Sequence, residues 1–326
     1  MRFSLNFEIA AVLAVAVVAI VGAIVAAFVI LDDDDDRTTL TPVSGAFIPT
    51  VISSDIAVGE NRFVLGLLDQ DQIPIADADL RGGFLKVADD GSATLLFEAD
   101  LSPVTVDRSF AHLHEDGENH LHEVGELGVY VTNVDFDSAG RWQIVVSGTV
   151  GGEQMEPTPF LFEVREAPLS PALGAPAPQS VQLIIDDVED IAEIDTSVIP
   201  NEGMHNMTIA DAVTSGRPTV ITFATPAFCA SQICGPTKEA TDALYLDYGD
   251  AVNFVQVEPY DVARARAGDC QPSLSACLVP FLETEWGLRS EPWVFTVDAA
   301  GNIAGKFEGV VGEAELDEHL QELVAG

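Results

Sequence analysis

Positive charge is the first thing this sequence has little of. Its 326 residues include 14 lysines and arginines against 53 aspartates and glutamates, a net charge of −39. Lysine occurs only as Lys86, Lys238 and Lys306. So negative a field repels phosphate backbones and anionic lipid surfaces, so nucleic acid is not expected as a partner. It also suits a protein that works at high salt. Cysteine is scarce as well, four residues all in the last third of the chain. Their spacings, C-x4-C for Cys229 and Cys234 and C-x6-C for Cys270 and Cys277, match neither a zinc ribbon nor a zinc finger. Aromatic residues make up only 7%, yet the length is enough for two ordinary domains.

One long apolar run is present. Ile9 to Leu31 carries no charge and is mostly Ala, Val, Ile and Leu. As a helix rising ~1.5 Å per residue it would cross a ~30 Å hydrocarbon core. A cleaved signal peptide is the competing reading, but its apolar part is usually ~7–15 residues and ends in small residues. This run ends in Phe28-Val29-Ile30-Leu31. The expectation is therefore an uncleaved transmembrane helix over 9–31, a cytoplasmic N-terminus over 1–8 and an acidic stalk over 32–42. Arg2 and the amino terminus before the span place the N-terminus inside, and Asp32 to Asp36 after it suit a solvated stalk. The protein would be a single-pass cell-membrane protein with extracytoplasmic domains, where disulfides persist.

Residues 43–166 read as β-rich. Alternating runs occur at Arg62 to Leu68, Ser92 to Phe97, Gly128 to Val134, Trp142 to Val146 and Pro159 to Val164. Turn signals such as Asp89-Asp90-Gly91 and Gly151-Gly152 separate them. Short strands at this spacing predict an all-β sandwich. The stretch Gly128 to Val146, with a Tyr-bearing strand turning into a Trp-bearing one, resembles the closing strands of immunoglobulin-like sandwiches.

Within this region His112, His114, His120 and His122 flank five residues, Glu115 to Asn119. An in-register hairpin would set His114 against His120 and His112 against His122, four imidazoles on one face. Neutral imidazole suits copper or zinc. A solvated polar hairpin tip is the plainer alternative.

Residues 167–183 are rich in Pro and Ala and read as an extended spacer. The acidic stretch Asp186 to Asp195 is expected to pack loosely. Met204, His205 and Met207 form a soft-ligand cluster able to take Cu(I), or an ordinary approach to a helix at Thr208-Ile209-Ala210-Asp211.

Over 184–326 the pattern reads β-α-β-α-β-β-α, a mixed sheet with helices on both sides. Its centre is Thr219 to Thr237, TVITFATPAFCASQICGPT. An apolar strand runs into a turn, two cysteines follow, and a helix begins near Pro236. This region resembles the thioredoxin-like superfamily of the membrane-tethered, extracytoplasmic type. Phe223 through Phe228-Cys229 is similar to the strand and aromatic-Cys approach of thioredoxin active sites. Cys234-Gly235-Pro236 repeats three residues of the family's Cys-Gly-Pro-Cys, and Glu291-Pro292-Trp293 sits where the family has a cis-proline. The likeness covers about 110 residues. It departs from the family in its C-x4-C spacing, with Thr237 where the second cysteine would stand.

The resemblance implies thiol–disulfide exchange by Cys229 and Cys234, with Pro292 abutting them, no required cofactor, and thiol- or disulfide-bearing envelope proteins as partners. Alignment on the aromatic-Cys approach makes Cys229 the nucleophile; alignment on Gly-Pro makes it Cys234. Bridged cysteines need Cα atoms ~4.4–6.8 Å apart, so the two cannot both lie within one helix. Cys229 then belongs to the turn and Cys234 to the helix start, where the dipole favours a thiolate. A permanent structural bridge is the alternative. Cys270 and Cys277 read as a local structural disulfide. Two further functions compete: copper delivery, as in Sco-type chaperones whose Cys-x3-Cys is close to this spacing, and a redox-inert scaffold.

Overall fold

The structure is a computed structural model describing residues 47–113, 119–229 and 233–325, with side chains described outside 107–125. Residues Gly45–Gly326 form one compact unit. The chain is mostly β, 40% strand against 23% helix, and that overturns the expected fold class. In place of an immunoglobulin-like sandwich, seven strands make a single sheet in the order β1-β2-β5-β4-β3-β6-β7. They are β1 Phe47–Val51, β2 Gly59–Asp69, β3 Ala78–Val87, β4 Ala93–Leu113, β5 Asn119–Phe136, β6 Gly140–Val150 and β7 Glu153–Val164.

The reason lies in β4. Its first part, Ala93 to Leu101, pairs with β3, and its second, Ser102 to Leu113, pairs with β5. One long strand thus joins what would otherwise be two layers, and the sheet curls on itself. Beyond β1 the chain meets the end of β7, where Val58 N–H donates to Arg165 O and Arg165 N–H to Ile56 O, each at 2.9 Å. The result is a nearly closed, barrel-like sheet. Alternate residues fill its interior: Phe63, Phe84, Tyr130, Phe136, Trp142 and Ile144 are fully buried. Phe84 packs edge-on to Phe63 at 5.2 Å, and Trp142 edge-on to Phe136 at 4.8 Å.

No helix among the described residues is long and apolar enough to cross a membrane. On that finding the expectation of a single-pass, extracytoplasmic membrane protein with a transmembrane helix is withdrawn. The stretch Ile9 to Leu31 that carried it lies outside the described residues.

The second sheet has four strands in the order β11-β10-β8-β9: β8 Thr219–Phe223, β9 Asn253–Val257, β10 Trp293–Val297 and β11 Ile303–Glu308. β8 and β9 are parallel; β10 runs antiparallel to both β8 and β11. Five helices accompany it: α1 Ile209–Thr214, α2 Cys234–Tyr248, α3 Val262–Ala267, α4 Pro280–Thr284 and α5 Glu313–Ala325. β8, β9 and β10 are buried at every position, so their sequences carry no charge and mix apolar residues with only Thr219, Thr222, Asn253, Gln256 and Thr296. Alternation still sorts the faces. Ile221, Phe223, Val255, Val257 and Phe295 pack with α1, Leu282 of α4 and Trp286. Val220, Phe254, Val294 and Phe307 pack with Leu244 of α2 and with Leu316 and Leu320 of α5.

The Pro/Ala-rich stretch does not hang free. Gly174 N–H donates to Ile303 O, Ile303 N–H to Ala175 O and Ala177 N–H to Gly301 O, which straps it along β11. Leu169 N–H and Ser170 N–H are accepted by Asp55 at 2.7 and 3.0 Å. One junction between the two sheets is Arg62 of β2, whose side chain is 6% exposed. It donates to both Glu315 carboxylate oxygens at 2.6 and 2.8 Å, to Glu308 O at 3.1 Å and to Val310 O at 2.7 Å. Glu308 in turn accepts from Ser54 N–H at 2.8 Å, and Lys306 Nζ lies 3.6 Å from Asp55.

Candidate functional site

β8 delivers the chain to the cysteine turn. Phe228 and Cys229 both donate their N–H to Thr225 O, at 3.3 and 3.1 Å, a single helical turn that stops before it propagates. Cys234 is the first residue of α2, with Ile233 as its N-cap. Cys229 and Cys234 are bonded to each other, Cα atoms 6.0 Å apart. Ala224 and the two cysteines form a small buried cluster against which Ile233 packs. Cys229 is 9% exposed and Cys234 not at all.

Pro292 follows a cis peptide bond and precedes β10. Trp293 pairs with Phe223, so the antiparallel register brings Pro292 level with Ala224, the residue against the cysteines. The carbonyl of Pro292 accepts from Gly309 N–H at 2.9 Å, and the Thr237 hydroxyl of α2 donates to Gly309 O at 3.5 Å. One short chain of contacts therefore ties Pro292, the β11–α5 loop and the start of α2.

Cys270 and Cys277 are bonded in their own loop, Cα atoms 5.3 Å apart. Cys277 O accepts from Asp261 N–H at 2.8 Å, and Val279 N–H donates to Pro259 O at 2.9 Å. This bridge pins the loop beside α3.

A buried polar group that the sequence reading passed over lies behind the cysteine turn. Glu258, just after β9, is 6% exposed. Its Oε1 accepts from Thr196 N–H at 2.7 Å, and the Thr196 hydroxyl accepts from Ala227 N–H at 3.1 Å. Its Oε2 is buried near the Thr225 hydroxyl, which lowers the pKa without making a well-formed hydrogen bond. Burial outweighs the Thr196 bond and pushes the carboxyl up to about 7. Nearby, Asp195 is 1% exposed, where a loose acidic stretch was expected. Burial would raise its pKa, but His205 Nε2–H at 3.1 Å, Ser197 and the charge of Lys238 outweigh that and hold it at about 2. The signal that could have found this network is the position of Glu258: a carboxylate directly following a strand that carries no charge.

Glu258 makes stability depend on pH. An acid whose folded pKa exceeds its unfolded value favours folding while protonated. Its contribution is full below about 4.5, the ordinary value, and is lost as the pH rises towards about 7. Glu258→Gln should remove that loss, and its advantage over wild type should grow by about 2 kcal/mol between pH 5 and pH 8. Urea denaturation at the two pH values measures it; an equal difference at both would refute the assignment.

The histidines are placed differently from expectation. Backbone pairing sets His112 against His120 and Phe110 against His122; His114 lies outside the described residues. Among the described residues no group of three or more His, Cys, Asp or Glu is arranged to hold a metal. Met204 and His205 are buried, His205 on Asp195. His319 of α5 meets the Thr296 hydroxyl at 2.7 Å. A cleft of about 560 Å³ opens between β2 and α5 and includes Arg62, Lys306, Glu315 and His319, but neither cysteine pair. Compared with known proteins, the chain matches no family model and no curated sequence, so its function has to be argued from the Cys229–Cys234 geometry.

Proposed function

We propose that the chain carries out thiol–disulfide exchange on a peptide or protein disulfide through Cys229 and Cys234. The observation that carries this reading is the placement of the bond, between a turn at a strand end and the first residue of a fifteen-residue helix. The first N–H groups of a helix lack intrahelical partners and, with the helix dipole, stabilise a thiolate at Cys234. Cys229 is the residue of the pair with residual exposure. An incoming dithiol attacks Cys229 Sγ, the Cys229–Cys234 bond breaks, and Cys234 departs as the stabilised thiolate, since a thiol of lower pKa leaves faster. The second thiol of the reductant then closes its own disulfide and frees Cys229. In the other direction the Cys229 thiolate attacks a substrate disulfide. Cys234 resolves the mixed disulfide, and the substrate departs with two thiols.

Measuring the reduction potential of the pair tests this reading. A value above about −300 mV, with catalysed reduction of a short peptide disulfide by dithiothreitol, is expected. A value below it, with no turnover, would make the bridge structural.

A further inference from the structure

The surface beside the cysteine pair is already occupied by the chain itself. Ile233, adjacent to Cys234, packs into an apolar cluster whose other members are Val64, Val104, Val106, Leu127, Val129, Val131 and Ile52 of the first sheet region, with Val310 of the β11–α5 loop. The fit is close: a Cβ on Gly312 would lie 3.3 Å from Val104 Cγ1, and one on Gly309 3.6 Å from Ile52 Cγ2. The first sheet buries its aromatic core on one face. These valines and leucine form a separate apolar patch, which an acidic protein would not leave open to water. Gly309 is also the residue that binds Pro292 O and the Thr237 hydroxyl. The patch therefore covers the cysteine helix start and the loop that ties it to Pro292.

We infer that the outer face of β2, β4 and β5 is a cover over the cysteine pair. It occupies the surface on which a macromolecular disulfide substrate would dock, so exchange with a protein requires this contact to open. This rests on the exchange reading above.

Two reductants of different size test the inference on the full chain. Dithiothreitol and a small protein dithiol are applied to wild type, to Val104→Asp and to the milder Val104→Ala. Cys270–Cys277 serves as the internal reference, and mass spectrometry of alkylated peptides counts each pair. In wild type the protein dithiol should reduce Cys229–Cys234 at least ~100-fold more slowly than dithiothreitol does. Val104→Asp should raise the protein-dithiol rate at least ~10-fold, and Val104→Ala by ~3-fold, each with the Cys270–Cys277 rate unchanged. Val104→Ala keeps the comparison valid if the aspartate variant does not fold. Equal protein-dithiol rates in wild type and Val104→Ala, with dithiothreitol reducing the pair readily, would overturn the cover and leave exchange standing. Resistance of Cys229–Cys234 to both reductants would overturn both.

Discussion

Cys229→Ser should abolish turnover of a short peptide disulfide, by at least ~1,000-fold, because a serine hydroxyl can neither ionise at neutral pH nor form a mixed disulfide. Cys234→Ser should fail differently. Cys229 would still attack the substrate, but nothing would displace the product, so a covalent adduct should accumulate at one per chain. Intact-mass measurement after mixing with an excess of a peptide disulfide distinguishes the two. The adduct is expected on Cys229 in the Cys234→Ser variant and absent from Cys229→Ser. Replacing Cys270 and Cys277 together by alanine should leave turnover within about three-fold of wild type, since that bridge is confined to its own loop. It should cost about 2 kcal/mol of stability through loop entropy. An adduct on Cys234 in Cys229→Ser would reverse the roles argued from exposure. Full turnover in Cys229→Ser would remove the pair from the reaction.

The roles of the two cysteines show where sequence stops. Their spacing alone excludes a shared helix, because residues five apart point to different faces. Which sulfur a partner reaches depends on burial, and burial is set by Ile233 seated among valines more than a hundred positions earlier in the chain. No local pattern encodes that contact. The strands β8, β9 and β10 were legible because apolar runs of this length bounded by turn residues have few other solutions. β4 was legible only in part. Its alternation is plain around Ser92 to Phe97, but Pro103, which removes a backbone donor, makes the remainder read as a break. In the sheet Pro103 pairs with Tyr130, and the strand continues to Leu113. That continuation turns an expected two-layer sandwich into one curled sheet. β3 was missed because Gly82-Gly83 breaks its apolar pattern. A side chain at Gly82 would crowd Ile144, 2.8 Å from its Cδ1, so packing inside the barrel favours the residue that hides the strand.

Glu258 and Arg62 were invisible for a related reason. A charged residue in a sequence is read as surface, because most are. Here both are buried by the fold: specific partners offset the cost for Arg62, whereas for Glu258 burial outweighs its hydrogen bonds and raises its pKa.

Arg62→Ala should be strongly destabilising, at about 3 kcal/mol. The guanidinium is buried, makes two hydrogen bonds to Glu315, and supplies donors to the carbonyls of Glu308 and Val310. It also lies over the Phe307 ring, 5.7 Å from its centroid. Truncation leaves the Glu315 carboxylate half-buried without its counter-charge and two carbonyls without donors, and both losses fall on the seam between the sheets. Arg62→Lys should recover only part of the loss, since an ammonium cannot reproduce the planar fork. Arg81→Ala is the matched control. Arg81 pairs with Glu98 at 3.4 Å, but its side chain is 55% exposed, so its removal should cost no more than about 0.5 kcal/mol. Urea denaturation of the three variants at one pH and salt concentration measures the difference. Equal midpoints for Arg62→Ala and Arg81→Ala would mean that the seam contributes nothing beyond an exposed ion pair, and the closed arrangement over Ile233 would then need another source of stability.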